Sequence, residues 1–477
     1  MKRIRNLIFL GILFLLLLGS YAYIKTHPPG ATKEAAKEPP AKPLITAVSL
    51  SANQLVKIDL KSKAGTLTLL KKGSDWGVDY PYPIELAPIP LYGVVSNFTN
   101  LAADQVIEDN PKDLTQYGLA TPGVTAVATL KDGTIKRYFL GEKTPTGTGY
   151  YFKAEADPRV FLIAIVDGER FKSSLIDLRE RDIKMIDTQN LNRFKLARLG
   201  QKTIEIVPND QMKGAEGQFQ LSNLQMIQPY QTARQVSGDQ FKKVVEGLAG
   251  LTSIQEFIDD NPANLAKYGL QPAQAELTVG DGAAEFRLLI GKKKNEQNYY
   301  CKLADSPTVF TVTKSSLTFL NLKSFDLVDK FAYIVNIDDV ARIKLEAGGK
   351  VHLINIEHKI KKSGNQDQAN AKELKIRVDG KAIAEKPFKK YYQSLIGLMV
   401  EAENDQPVLN GKPDLITTYY LTQGSQREVE VKYIPYNQDF YTVVRNGRSE
   451  FVIAKDQVQQ MLQNLDKLIQ GKLKVDD

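Results

Sequence analysis

Asp109-Asn110-Pro111-Lys112-Asp113-Leu114-Thr115-Gln116-Tyr117-Gly118-Leu119 returns later in the chain as Asp260-Asn261-Pro262-Ala263-Asn264-Leu265-Ala266-Lys267-Tyr268-Gly269-Leu270. The echo does not stop there: Gly141 is answered by Gly291 and Tyr151 by Tyr300, always at a spacing of about 150 residues, which marks a chain built from serial copies. A length of 477 residues agrees, since ordinary domains of about 100–200 residues predict about three of them.

Working backwards from each signature exposes a third copy. Leu91, Val94, Val95, Phe98 and Leu101 form an apolar stripe with the spacing of one buried helical face. The same offsets recur in Phe241, Val244, Val245, Leu248 and Leu251, and again in Phe388, Tyr391, Tyr392, Leu395 and Leu398. Strand-like alternation precedes each stripe, at Val56-Ile58-Leu60, Leu196-Leu199 and Val340-Ile343-Leu345. Short alternating runs split by turn residues follow, such as 124–130, 137–140, 150–152 and 160–163 in the first copy, which predict an antiparallel meander. Asn446-Gly447 supplies a hairpin turn in the third, and Val458, Met461, Leu462, Leu465 and Leu468 predict a closing helix. The expected fold class is α+β: three tandem units, 45–185, 186–333 and 334–477, each an antiparallel sheet with packed helices, after an N-terminal transmembrane helix.

That last expectation rests on residues 1–24. Lys2, Arg3 and Arg5 precede an uncharged apolar run, 7–24, close to the length a helix needs to cross a bilayer. Its basic flank predicts that the rest of the chain faces outward. A cleaved signal peptide is the competing reading, with Ser20 and Ala22 as small residues near a cleavage point. Residues 25–44 are rich in Pro, Ala, Lys and Glu and read as a semi-stiff stalk. The expected location is therefore the bacterial inner membrane, single-pass, with the bulk outside the cytoplasm. Cys301 is the only cysteine, so no intramolecular disulfide staples the fold. A net charge of +8 in an exported chain points to anionic lipid or envelope polymer rather than to nucleic acid, which is not an expected partner.

The repeated signature has a local explanation. Asn110 and Pro111 suit a helix N-cap and first turn. Gly118 suits the left-handed position after a C-cap at Tyr117, and Leu119 then meets Leu114; Asn261, Pro262, Leu265, Tyr268, Gly269 and Leu270 repeat every part. Chemistry is harder to find. His352 and His358 sit six apart on a strand-like segment, too far to share a metal, and His27 lies in the stalk. Cys301 follows Tyr299-Tyr300 in an apolar strand and reads as a core thiol. The glycine-rich stretch 141–149 lacks the order of a phosphate loop and reads as a hairpin. Asp109 with Asp113 and Asp259 with Asp260 are carboxylate pairs that helix capping accounts for, while Lys292–294 and Lys359–362 read as solvated runs. No catalytic, cofactor-binding or metal-ligating residue is expected.

The apolar N-terminal run, Trp76 followed by Pro81, Tyr117-Gly118-Leu119 with Pro122, Leu140-Gly141, and Leu178-Arg179-Glu180-Arg181-Asp182 together resemble the family known as domain of unknown function 4340. The second copy departs from it with Phe219 where a tryptophan would stand and Leu322-Lys323-Ser324-Phe325-Asp326 in place of the arginine-rich run. The resemblance implies a bacterial, membrane-anchored, exported protein, often found beside permease and ATPase subunits of exporters like those of gliding-motility systems, and hence a non-enzymatic accessory role in an ABC-type transporter or envelope complex. A binding module for envelope polymer or anionic lipid, and a hydrolase with a dispersed carboxylate site, are the alternatives.

Overall fold

The computed structural model describes residues 45–474 apart from 64, 186, 189, 210–221, 362–370, 407–408 and 423–426. The chain divides into two compact units, Met1–Glu180 and Arg181–Asp477.

The first unit opens with β1 (Ile45–Val48), β2 (Leu55–Ser62), β3 (Gly65–Lys72) and β4 (Asp75–Val78), followed by helix α1 (Pro88–Thr99). Next come β5 (Leu101–Ala103), β6 (Gln105–Glu108), β7 (Val124–Leu130), β8 (Ile135–Lys143), β9 (Gly149–Ala154) and β10 (Val160–Ala164), then two short helices, α2 (Ile165–Phe171) and α3 (Leu175–Leu178). Its main sheet runs β4-β3-β2-β7-β8-β9-β10-β6, and every pairing is antiparallel. β2 and β7 meet in the middle, so α1 carries the chain from the β4 edge to the β6 edge. The helix lies against the sheet because Val94 and Phe98 are fully buried, with Phe98 edge-on to Tyr138 and Phe171 at 5.8 and 5.6 Å. Burying such a side chain contributes about 2 kcal/mol. On β2 a register shift between Leu55 and Lys57 turns Leu55, not Val56, into the core alongside Ile58 and Leu60, because a bulge moves the alternation by one residue.

The second unit follows the same plan twice. β11 (Arg193–Arg198), β12 (Ile204–Pro208), β13 (Leu224–Gln228) and β14 (Arg234–Gln235) precede α4 (Gly238–Leu248) and β15 (Glu256–Asp259). The meander β16 (Ala275–Gly280), β17 (Glu285–Lys293), β18 (Asn298–Leu303) and β19 (Val309–Thr313) follows, then α5 (Ser324–Leu327). The last repeat holds β20 (Val340–Ala347), β21 (Lys350–Lys361), β22 (Ala371–Val378), β23 (Lys381–Ile383), α6 (Glu385–Ile396), β24 (Ala402–Glu403), β25 (Leu415–Leu421), β26 (Glu428–Pro435), β27 (Phe440–Arg445), β28 (Arg448–Ala454) and α7 (Lys455–Ile469). The sheet orders, β14-β13-β12-β11-β16-β17-β18-β19-β15 and β23-β22-β21-β20-β25-β26-β27-β28-β24, are the same arrangement. One continuous core runs from Ile183 to Leu468 through both sheets. Phe451 on β28 is part of the reason: it touches Tyr230 and Phe325 of the preceding repeat at 5.1 and 5.8 Å between ring centres.

The fold class differs from the α+β expectation. The described molecule is mostly antiparallel sheet, and no described helix is long and apolar enough to cross a membrane. The apolar stripes around Val94, Val244, Tyr391 and Leu465 do form helices, α1, α4, α6 and α7, but each copy gives far more of its described residues to strands. The signature yields only Thr115–Tyr117 and Leu265–Tyr268 as 3₁₀ turns, and Lys314–Asn321 is 3₁₀ with a kink at Leu317. Leu199, an expected strand position, is exposed in the turn after β11. The expected anchor 7–24, the stalk 25–44, His27 and Phe219 lie outside the described residues.

Candidate functional site

The duplicated signature has the geometry of a plug. Leu119 N donates to Leu114 O at 3.1 Å and Gly118 N to Thr115 O at 3.0 Å, the pair of bonds that closes a Schellman turn. Gly118 and Gly269 have φ of 64° and 70°, which only glycine adopts cheaply. The cap differs from expectation: Asp113 accepts from Thr115 N, and Asn264 from Ala266 N and Lys267 N, so the capping residue stands three positions after Asn110 and Asn261.

Each plug fills the sheet face opposite the main core. Tyr117 and Leu119 pack on Phe139, Tyr151, Ile107 and Val160, and Tyr268 and Leu270 on Leu289, Tyr300, Ile258 and Val309. The phenols are spent inside the plug. Tyr117 Oη donates to Glu108 at 2.6 Å and Tyr268 Oη to Asp259 at 2.9 Å, and the hydrogen bond to Glu108 pushes the Tyr117 phenol up to about 12. The repeated glycines at 141 and 291 belong to the same device, because a Cβ would lie 2.1 Å from Tyr117 O and 2.2 Å from Tyr268 O.

The remaining sequence candidates separate. His352 Nδ1 pairs with Asp379 at 2.7 Å while His358 Nε2 meets Val340 O at 3.0 Å, and no group of His, Cys, Asp and Glu suited to a metal occurs among the described residues. Cys301 is fully buried, and burial pushes its thiol far up, away from nucleophilic chemistry. Residues 144–148 form the hairpin between β8 and β9, with Thr148 N and Gly149 N donating to Thr144 Oγ1. Asp113 is the cap acceptor and its backbone hydrogen bond from Thr115 holds its carboxyl down. Asp259 and Asp260 diverge, one to Tyr268 and the other to Thr308. Lys293 and Lys294 pair with Glu296 and Glu256; the side chains of Lys359–362 lie outside the described residues.

Carboxylates do converge elsewhere. A cleft of about 360 Å³ in the second unit is lined by Lys202, Tyr230, Glu403, Asp405, Ser449 and Glu450 among others. Tyr230 Oη and Ser324 Oγ both donate to Glu403 Oε1, at 2.5 and 2.7 Å. Lys202 pairs with Asp405 at 2.9 Å, and Gln231 N donates to Glu450. Below them Arg234 is stacked on Phe451 at 4.3 Å and Lys330 over Phe325 at 3.1 Å. Burial holds Arg234 down to about 10 and Lys330 down to about 8, and pushes the Asp329 carboxyl and the Tyr230 phenol up. Every carboxylate of the cleft is already met by a protein donor from another strand or turn, so the arrangement ties the two sheets together. Sequence reading missed it because Tyr230 and Glu403 are 173 residues apart, Gln231 and Glu450 219 apart.

A second surface stands out by comparison of equivalent positions. Two residues ahead of Leu91, Phe241 and Phe388 stand Ile89, Asp239 and Lys386; one residue after them stand Tyr92, Lys242 and Lys389. All six are exposed, Ile89 at 86% and Tyr92 at 75%. α1 is Pro-Ile-Pro-Leu-Tyr-Gly-Val-Val-Ser-Asn-Phe-Thr, without a charge anywhere, whereas α4 and α6 put Asp and Lys on their solvent faces. A surface helix normally turns charged or polar residues to solvent, and α1 turns Ile89 and Tyr92 there instead. That signal was in the sequence, but only the buried stripe was read.

Fold and sites together define a tandem-repeat protein of antiparallel sheets. Residues 76–258 and 231–403 each match the model of the family described as "Domain of unknown function (DUF4340)". The two matches span more than half of the chain, and the protein belongs to that family. Each match begins ahead of the helix of one repeat and ends in the first half of the next, from β4 to β15 and from the residues after β13 to β24. No curated protein and no solved structure matches the chain.

Proposed function

We propose that the protein is a non-enzymatic accessory or scaffold component of an ABC-type transporter or related complex of the bacterial envelope, exported so that its bulk lies outside the cytoplasm at the inner membrane. One observation carries the reading: two sheets of identical strand order share a single core. Two copies fused in this way in the second unit cannot move independently, and stacked repeats of this kind present surface to partners. The ties in the cleft serve that coupling, since Glu403, Asp405 and Glu450 hold strands and turns of neighbouring sheets to one another. The family itself is one of unknown function; the basic flank and apolar run at the N-terminus support export.

The test is purification of the tagged full chain from detergent-solubilised membranes of its own host after in-cell cross-linking. Recovery of the permease and ATPase subunits of one transporter, in fixed proportion to the chain, is the expected result. A chain that fractionates with the cytosol, or that migrates alone from the membrane fraction, sinks the proposal.

A further inference from the structure

The outer face of α1 has no counterpart on α4 or α6, the equivalent helices among the described residues, and three features say what covers it. The first is composition: Ile89 and Tyr92 stand exposed where the other repeats carry Asp239, Lys242, Lys386 and Lys389. The second is its neighbourhood. Ala87 N donates to Leu178 O at 2.8 Å, which brings the end of α3 to the start of α1, and α3 adds Ile176, 57% exposed. The third is place in the chain: α1 sits in the first unit, and β1, which directly follows residues 1–44, pairs with β5 immediately after α1. Residues 25–44 are the chain between the apolar run and Ile45, with a reach of about 60 Å when extended.

We propose that the α1 face, through Ile89 and Tyr92, rests in the interfacial zone of a lipid bilayer. The inference rests on the proposed export and membrane tethering, which keep this unit near a bilayer. Aliphatic side chains enter the acyl boundary, and a tyrosine suits the interface because its ring is apolar while its hydroxyl stays hydrated. Charge decides against anionic headgroup capture: helices that bind anionic surfaces carry Lys and Arg beside their apolar face. α4 and α6 have such lysines and α1 has none; the guanidinium that lies against it, Arg170 at Gly93, is paired with Asp167 at 2.7 Å. The contact is therefore apolar, indifferent to salt, and made on neutral lipid as readily as on acidic lipid.

The experiment uses the full chain in vesicles of phosphatidylcholine whose acyl chains are brominated near the headgroup. Trp76 is the only tryptophan and is replaced by Phe; Tyr92→Trp reports on the α1 face and Lys242→Trp on the equivalent face of α4. The expected result is at least about twofold quenching of the reporter at position 92, unchanged by added salt, with none at position 242. Should Trp76→Phe disturb the fold, Tyr92→Cys carrying an environment-sensitive dye gives the same readout, because Cys301 is buried. A chain that stays with the vesicles while position 92 is unquenched overturns this inference alone, as does equal quenching at 242. Disulfide-linked dimers through Tyr92→Cys at the expense of quenching assign the face to a second copy and likewise overturn it. A chain that does not remain with vesicles removes the tethering and this inference together.

Discussion

The first unit and the second are built from the same sheet, yet they solve different problems. The first closes a core of its own, from Val48 to Leu178, around one sheet. The second runs one core through two sheets, and at the seam it buries charge as well as apolar surface: Arg234 and Arg445 are 7% and 6% exposed. A copied unit thus keeps its interior pattern and varies its surfaces. The places where copies disagree, the α1 face in one unit and the Tyr230–Glu403 seam in the other, mark what each copy meets.

The largest effect separates the two cores. Phe451→Ala removes the ring that Tyr230, Phe325 and Arg234 pack on and is expected to cost about 4 kcal/mol. Hydrogen exchange should then rise in β11–β19 as well as in β20–β28, with β2–β10 unchanged. Phe98→Ala should do the converse, loosening only the first unit. Exchange in Phe451→Ala that rises in the last sheet alone would break the claim of one shared core.

The plugs give the next comparison, because they occur in both units and not in the last repeat. Gly141→Ala and Gly291→Ala each drive a methyl group against a carbonyl oxygen of the plug, at 2.1 and 2.2 Å, and should each cost about 2–3 kcal/mol. Thermal melts read this, and equal losses in the two units are expected because the geometry is the same. Tyr117→Phe deletes only the hydrogen bond to Glu108 and should cost about 1 kcal/mol. Its ring contact with Tyr151 at 5.0 Å remains. A loss from Tyr117→Phe as large as that from Gly141→Ala would mean that the phenol, not the close packing, holds the plug.

How much of this was legible depends on the range of the interaction. Gly118 and Gly269 could be read because a left-handed residue after a capped turn calls for glycine whatever surrounds it. The cap itself could not be placed, since Asn110 and Asp113 are both cap-forming residues and only the position of Leu114 over the sheet chooses between them. Leu55 could not be told from Val56, because a bulge is a property of two paired strands. The partners Tyr230, Glu403 and Glu450 were out of reach for the same reason at greater distance. The sheet outweighs the helices because each apolar stripe, as at Phe98 or Leu248, supplies one helix beside a whole meander of strands.

Lys330 tests the seam with a smaller effect. Its Nζ is buried with no hydrogen-bond partner among the described residues and lies over the Phe325 ring. Burial lowers its pKa from 10.5 to about 8, so the folded state holds this proton less tightly than the unfolded state does. Below pH 8 both states are charged and the full cost of the buried ammonium is felt. Between pH 8 and 10.5 the folded group loses its proton first and the cost fades. Lys330→Met should therefore be the more stable protein at pH 7, by an amount that shrinks as the pH rises to 10.5. Melts at paired pH values read the difference, and a gap that widens with pH would show that the ammonium is favourably held.

The smallest change in stability belongs to the feature that most distinguishes the two units. Ile89→Asp with Tyr92→Lys copies onto α1 the residues that α4 carries at the same positions. Both side chains project into solvent in the folded chain, so nothing in the core is lost, and surface replacements of this kind usually stay within about 0.5 kcal/mol. The melting temperature of the doubly substituted full chain should match that of the parent, while its contact with neutral vesicles is lost. A fall of several degrees would place Ile89 and Tyr92 inside the protein's own packing and return α1 to the pattern of the other two helices. An unchanged melt with lost lipid contact would establish that this helix kept its inner face for the fold and gave its outer face to something else.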